Sequence, residues 1–190
     1  MNTTMIIILV GMAIFIYIWY ISVVKKKNQV LEALSGIDVQ LTKRYNLIPN
    51  ILKIAKSFME HEKSLIIEVT ALRAKIPQNY QSGDKDKIEN YFKMHNEISD
   101  KMGQLMLQVE NYPNLKSDQA MLQAQITYNE VEEHITAARR FYNAAVTELN
   151  NSIQIFPGNL IAILANAKTM PFYQGSEEQR KVPDASQILG

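Results

Sequence analysis

Residues 30–59 read VLEALSGIDVQLTKRYNLIPNILKIAKSFM. Val30, Leu34, Ile37, Leu41, Tyr45, Ile48, Leu52, Ala55 and Met59 recur at steps of three or four. That spacing puts one apolar stripe along an α-helix, the pattern of a bundle or coiled-coil seam. Leu65, Ile66, Val69, Leu72 and Ile76 carry the stripe on, and Pro77 ends it. Pro49 lies inside the run. An interior proline removes one helical hydrogen bond and clashes one turn back, at a cost of about 3 kcal/mol. Because the stripe keeps its phase across Pro49, the expectation is a kinked but continuous helix, with a true break at Pro49 as the alternative.

Before this stripe, Met5–Val24 reads MIIILVGMAIFIYIWYISVV, uncharged and followed at once by Lys25, Lys26 and Lys27. Twenty apolar residues at about 1.5 Å rise each cross the roughly 30 Å hydrocarbon core of a bilayer. Trp19 and Tyr20 fall at the lysine-rich end, where aromatic rings favour the headgroup layer. Met1–Thr4 has no basic residue and no small-residue cleavage site follows, which disfavours a cleaved signal peptide. Lysines flank cytoplasmic ends, so the expected orientation is N-terminus out and C-terminal domain in the cytoplasm.

Beyond Pro77, Asn79, Ser82, Gly83 and Asp84 supply turn chemistry. A second helix is expected from about Lys85 to Asn111, with Ile88, Tyr91, Phe92, Ile98, Met102, Leu105, Met106 and Val109 inward. Tyr112-Pro113-Asn114 stops it, and Asn114 or Ser117 caps the next. Tyr128, Val131, Ile135, Ala138, Tyr142, Ala145 and Leu149 mark a third helix, about Asp118 to Ser152, ended by Phe156-Pro157-Gly158. Leu160–Ala165 reads as a short apolar helix. The fold class is all-α: a transmembrane helix continuing into a long antiparallel bundle of three long helices plus a short C-terminal one. The division is 1–24 with the span at 5–24, a stalk or first bundle segment at 25–46, the bundle at 47–168 and a flexible tail at 169–190. Counting rise per residue, the bundle covers the first helix from Leu47 to Ile76 and leaves Lys25–Arg44 as a stalk of about 30 Å. Val30, Leu34, Ile37 and Leu41 then form an exposed interaction stripe, a contact site for self-association or another membrane protein.

Composition excludes more than it assigns. The 190 residues carry a net charge of +1, mixed in sign and all of it after Val24, so no basic nucleic-acid surface is present. Cysteine is absent, which removes disulfides and thiolate metal sites. His61, His95 and His134 have no liganding partner at helical spacing, and surface positions account for all three. Glu130, Glu132, Glu133 and His134 fall near a di-metal pattern, but Val131 stands where Glu-x-x-His needs its glutamate. No phosphate loop or nucleophile elbow occurs. Asp38, Arg44, Arg139 and Asn143 lie beside the apolar stripes as candidate polar residues that fix helix register, with Arg139 expected near Glu62 or Glu68.

Several segments together resemble the LemA family: Asp38–Asn50 (DVQLTKRYNLIPN), His61-Glu62-Lys63, Glu110–Lys116 (ENYPNLK) and Ala137–Val146 (AARRFYNAAV) followed by Asn150, Ile153, Phe156 and Pro157. The resemblance runs from about Val24 to Pro157, plus the anchor. It implies a bacterial, single-pass inner-membrane protein with a soluble antiparallel helical bundle and no established enzymatic role. The expected function is a membrane-anchored scaffold or adaptor, without catalysis or cofactor. Its partners would be the lipid bilayer and either a further copy of itself or another membrane protein, with no nucleic acid. The alternatives are a membrane-organising or envelope-stress coat and, more remotely, a di-metal bundle protein.

Overall fold

The computed structural model describes residues 3–77 and 84–175. All regular structure among them is helical: α1 (Thr3–Lys56), a 3-10 turn (Glu60–Glu62), α2 (Lys63–Lys75), α3 (Lys85–Val109), α4 (Pro113–Lys116), α5 (Gln119–Gln154) and α6 (Gly158–Leu164). The all-α expectation holds, and α1 passes through Pro49 as one helix. The chain breaks instead at Ser57–Met59, where neither glycine nor proline signals a stop. Met59 leaves helical geometry and is fully buried, so packing overrides the local helical pattern.

The chain divides into two compact units. One holds, of the described residues, 41–77, 84–133 and 173–175. Here the last part of α1 and α2 form an antiparallel hairpin, since Arg73 near the end of α2 returns to Tyr45 of α1. Helix α3 packs on α2, with Lys101 Nζ 2.7 Å from Glu68. Helix α5 starts back along α3, where Gln125 Nε2 meets Met106 Sδ at 3.9 Å. Asp84 caps α3 by accepting from Asp86 and Lys87 N–H at 3.1 and 3.3 Å. The α5 cap is Asp118, accepting from Met121 N–H at 2.9 Å, rather than Asn114 or Ser117. Those two belong to the one-turn helix α4 and the residue after it, where Ser117 returns its N–H to Pro113.

The kink-tolerant position of Pro49 has a specific explanation. Proline cannot donate to the carbonyl four residues back, which is that of Tyr45. Arg73 Nε donates to that carbonyl at 3.2 Å, and its guanidinium lies 3.9 Å from the centroid of the Tyr45 ring. A side chain of α2 thus satisfies the carbonyl that Pro49 frees.

The other unit holds residues 3–40 and 134–172. It buries Val30, Ala33, Leu34 and Ile37 of α1 with Ile135, Tyr142, Val146 and Leu149 of α5. The exposed stripe is therefore corrected: Val30, Leu34 and Ile37 are buried here, and Leu41 is buried in the first unit. The cause lies within this unit: the second half of α5 shares it with the stripe, and Ile135, Tyr142, Val146 and Leu149 are buried there too. The segment after α6 is tied down as well. Asn150 pairs with the backbone of Met170 in both directions, at 2.9 and 3.0 Å, and the Tyr142 hydroxyl donates to the Pro171 carbonyl at 2.8 Å. Pro171 and Tyr173 are buried, so the part of the expected flexible tail up to residue 173 is docked. Residues 176–190, and the expected turn at 78–83, lie outside the described residues.

Candidate functional site

Arg44 follows Leu41 by three residues and precedes Ile48 by four, so the α1 helix delivers its side chain into the core. It is 2% exposed. Isolated, such a charge costs several kcal/mol. Three contacts compensate it, and they tie α1 to α3 and α5. Nη1 donates to Glu132 Oε1 at 2.9 Å, and Nη2 donates to the His95 backbone carbonyl at 2.6 Å. Nη2 also lies 3.2 Å from His95 Nδ1. Burial opposes the Arg44 charge, but Glu132, with Tyr128 and Tyr173 behind it, holds the guanidinium protonated above its ordinary range.

His95 is the residue that sequence spacing missed. It is buried, contrary to the surface position expected for it, and it fills the gap between Phe92 and Ile98 on the inward face of α3. That gap of six, bridged by a residue three from each side, is the signal available in the sequence. Burial and the Arg44 charge push its pKa down to about 3. Neutral Nδ1 accepts from Arg44, which leaves the proton on Nε2. Nε2 meets no protein acceptor among the described residues. The ring sits edge-on to Tyr91, with centroids 4.5 Å apart. Burial and the negative charge of Glu132 raise the pKa of Tyr128, keeping its hydroxyl protonated.

Beside this cluster is a cavity of about 240 Å³ lined by Thr42, Tyr45, Asn46, Ile76, Pro77, Tyr91 and His95. Small-molecule sites usually exceed roughly 300 Å³. This room suits solvation of the His95 Nε2–H better than it suits a substrate. The terminal nitrogens of Arg44 are spent on Glu132 and His95, while Arg44 Nε, His95 Nε2 and the Tyr128 hydroxyl meet no partner among the described residues.

The other sequence-derived polar residues fall elsewhere. Asp38, Arg139 and Asn143 are half-buried in the unit that holds residues 3–40 and 134–172, and each engages a neighbour. Arg44 belongs to the other unit. Glu68, expected near Arg139, pairs with Lys101. Glu132, considered for a metal, pairs with Arg44. Among the described residues no group of three or more His, Asp or Glu gathers to hold a metal ion.

Towards its N-terminal end α1 is long and apolar enough to cross a membrane, and only 6% of its most apolar stretch is buried. The fold and these sites define an all-α protein with an apolar N-terminal helix and a polar cluster internal to its bundle. The LemA family model matches residues 33–186. The chain belongs to the LemA family, whose members are membrane-associated. It is 25% identical over 183 residues to Protein LemA of Metamycoplasma hominis, covering 96% of this chain and 81% of that protein. Two magnetosome proteins of Paramagnetospirillum magneticum, MamQ 1 and MamQ 2, are each 32% identical over 73 residues, covering 38% of this chain and 27% of theirs.

Proposed function

We propose that this chain is a single-pass, non-catalytic helical scaffold that presents its bundle at the cytoplasmic face of a bacterial inner membrane. The observation that supports it most is the contrast along α1. Its first eighteen residues expose apolar side chains such as Ile7, Ile8, Tyr17 and Ile18, whereas the residues after Lys25–Lys27 bury theirs. Lysines at one end of the span favour that end on the cytoplasmic side. The bilayer is one partner, and a further copy or another membrane protein on the bundle is the second. The Val30–Leu41 stripe has no part in this second contact, because it is buried within its own chain.

The absence of natural cysteine makes the test clean. Single variants Thr4→Cys and Lys168→Cys are labelled in intact cells with a membrane-impermeant maleimide. Labelling at position 4 alone is the expected result; labelling at position 168 alone reverses the orientation, and release of the protein by alkaline carbonate refutes the anchor. The mass of the detergent-extracted protein, with what co-purifies, decides between scaffold and isolated monomer. The similarity to the two MamQ proteins supports a second reading, a membrane-organising role, since both are named as magnetosome proteins.

A further inference from the structure

The stretch Ile155–Ala167 (IFPGNLIAILANA) has no charged residue. One side of it packs inward: Ile161, Ala162, Ala165 and Ala167 form a buried cluster with Val23 of α1, against which Trp19, Val24 and Ile153 also pack. The other side faces out. Ile155, Phe156, Leu160, Ile163 and Leu164 are all more than half exposed, Ile163 at 78%. Five large apolar side chains exposed between Ile155 and Leu164 are unusual against water.

The contacts of this stretch set its level on α1. Gly158 lies so close to the ring of Trp19 that a Cβ there would sit 3.6 Å from Cζ3. Lys27 Nζ donates to the Asn166 carbonyl at 3.1 Å. From Trp19 to Lys27 is about 12 Å of helix rise. The stretch is thus alongside the very segment where the apolar span gives way to lysines. Its end is fixed there. Asn166, at φ 45°, follows α6 in the left-handed conformation, with Asn166 N–H bonded to Ile163 O and Ala167 N–H to Ala162 O. This double closure satisfies the last carbonyls of α6 and turns the chain away.

We propose that α6 and its preceding turn are a second membrane contact: Ile155, Phe156, Leu160, Ile163 and Leu164 insert into the cytoplasmic-leaflet interface beside the span. The occupant of this face is lipid. The argument is continuity, since the face adjoins the exposed apolar surface of the span itself, and Lys25, Lys26, Lys27 and Lys168 border it with charge complementary to anionic headgroups. Inserted side chains of this kind reach roughly 5–10 Å into the headgroup–acyl boundary. The anchor then holds the bundle at two points rather than on a single swivelling helix. This inference rests on the anchored reading above.

The test uses the full chain reconstituted in vesicles of phosphatidylethanolamine and phosphatidylglycerol. Single variants Ile163→Cys, Phe156→Cys, Phe15→Cys and Phe141→Cys carry an environment-sensitive fluorophore, and brominated acyl chains serve as quencher. All four positions are exposed, so labelling leaves the core intact. The expected result is strong quenching and a blue-shifted emission at 15, 156 and 163, with neither at 141. Quenching at 15 without quenching at 156 and 163 overturns this inference and leaves the anchor standing. No quenching at 15 overturns the anchor. A blue shift at 163 without bromolipid quenching, together with a dimeric mass, assigns the face to a second copy and also overturns the proposal.

Discussion

Arg44 is a cation with 2% of its surface in contact with solvent; Ile163 is a hydrocarbon with 78% of its surface outside. Each inverts the usual partition of side chains, and the reasons differ. Around Arg44 the helices replace water at the two terminal nitrogens, with a carboxylate, a backbone carbonyl and an imidazole nitrogen, while Nε meets no partner among the described residues. Around Ile163 nothing replaces water, and the neighbouring surface is the apolar start of α1. A buried charge reports on its partners inside the protein. An exposed apolar face reports on the medium outside it. The first region ties three helices together through one charge, and the second is the face that the proposal above gives to lipid.

The largest effect is expected from breaking the first region. Removing one member of a buried ion pair costs about 3–5 kcal/mol, since the other charge stays behind. Arg44→Ala should lower the unfolding free energy of the full chain in detergent by about that amount, read from helical circular dichroism in urea. Glu132 is 30% exposed, so water compensates part of its loss, and Glu132→Gln should cost less than Arg44→Ala. A change below about 1 kcal/mol for Arg44→Ala would mean that the guanidinium is hydrated after all.

Acid should sharpen the same contrast. The folded state holds His95 neutral down to about pH 3, while the unfolded chain takes up a proton below about 6.5. The unfolded state therefore binds more protons across that window, and stability falls as pH falls through it, by an amount on the order of 2 kcal/mol at pH 5. Above about pH 6.5 this residue adds no pH dependence. His95→Leu should flatten the stability profile between pH 6.5 and 4 whatever it does to stability at pH 7. An unchanged acid slope would place the sensitivity elsewhere.

The second region is broken at Gly158. A Cβ there would lie 1.8 Å from the Ser152 carbonyl oxygen, which is backbone and cannot swing aside. Overpacking of this kind costs about 1–3 kcal/mol. In the Gly158→Ala protein the α5–α6 turn must shift, and Trp19, the sole tryptophan, reports it through its emission. The Arg44 region should be unaffected, so Gly158→Ala and Arg44→Ala should add in their effects on stability. Strong coupling between the two would contradict their independence.

Much of this was legible in residue spacing. The +3/+4 stripes gave α3 and α5 to within about two residues, and the long apolar helix at the N-terminal end was plain from one uncharged run. The break after Lys56 was not, because it is driven by burial of Met59 rather than by a breaker residue, and everything inferred from helix length failed with it. An unbroken rod to Ile76 would have left Val30, Leu34 and Ile37 uncovered; instead they are buried in the unit that also holds the second half of α5. Within the site, Arg44 reads in the sequence as flanking the stripe. A charge at a stripe position reads as an edge residue until its partners on other helices are known. Spacing alone does not flag His95, because a polar residue on an apolar face breaks the pattern that marks that face.

Pro49 offers the smallest and most specific test. Its missing N–H leaves the Tyr45 carbonyl to Arg73, so the two residues should be coupled although they belong to different helices. Arg73→Met keeps the aliphatic contact with the Tyr45 ring but removes the donor, and should cost about 1 kcal/mol. Pro49→Ala restores a helical N–H to the same carbonyl. In that background the Arg73→Met penalty should shrink, because the carbonyl then has a partner within its own helix. A double-mutant cycle on unfolding free energy reads the coupling directly. Equal penalties in both backgrounds would show that Arg73 acts only through the Tyr45 ring, and that α1 tolerates its proline without help from α2.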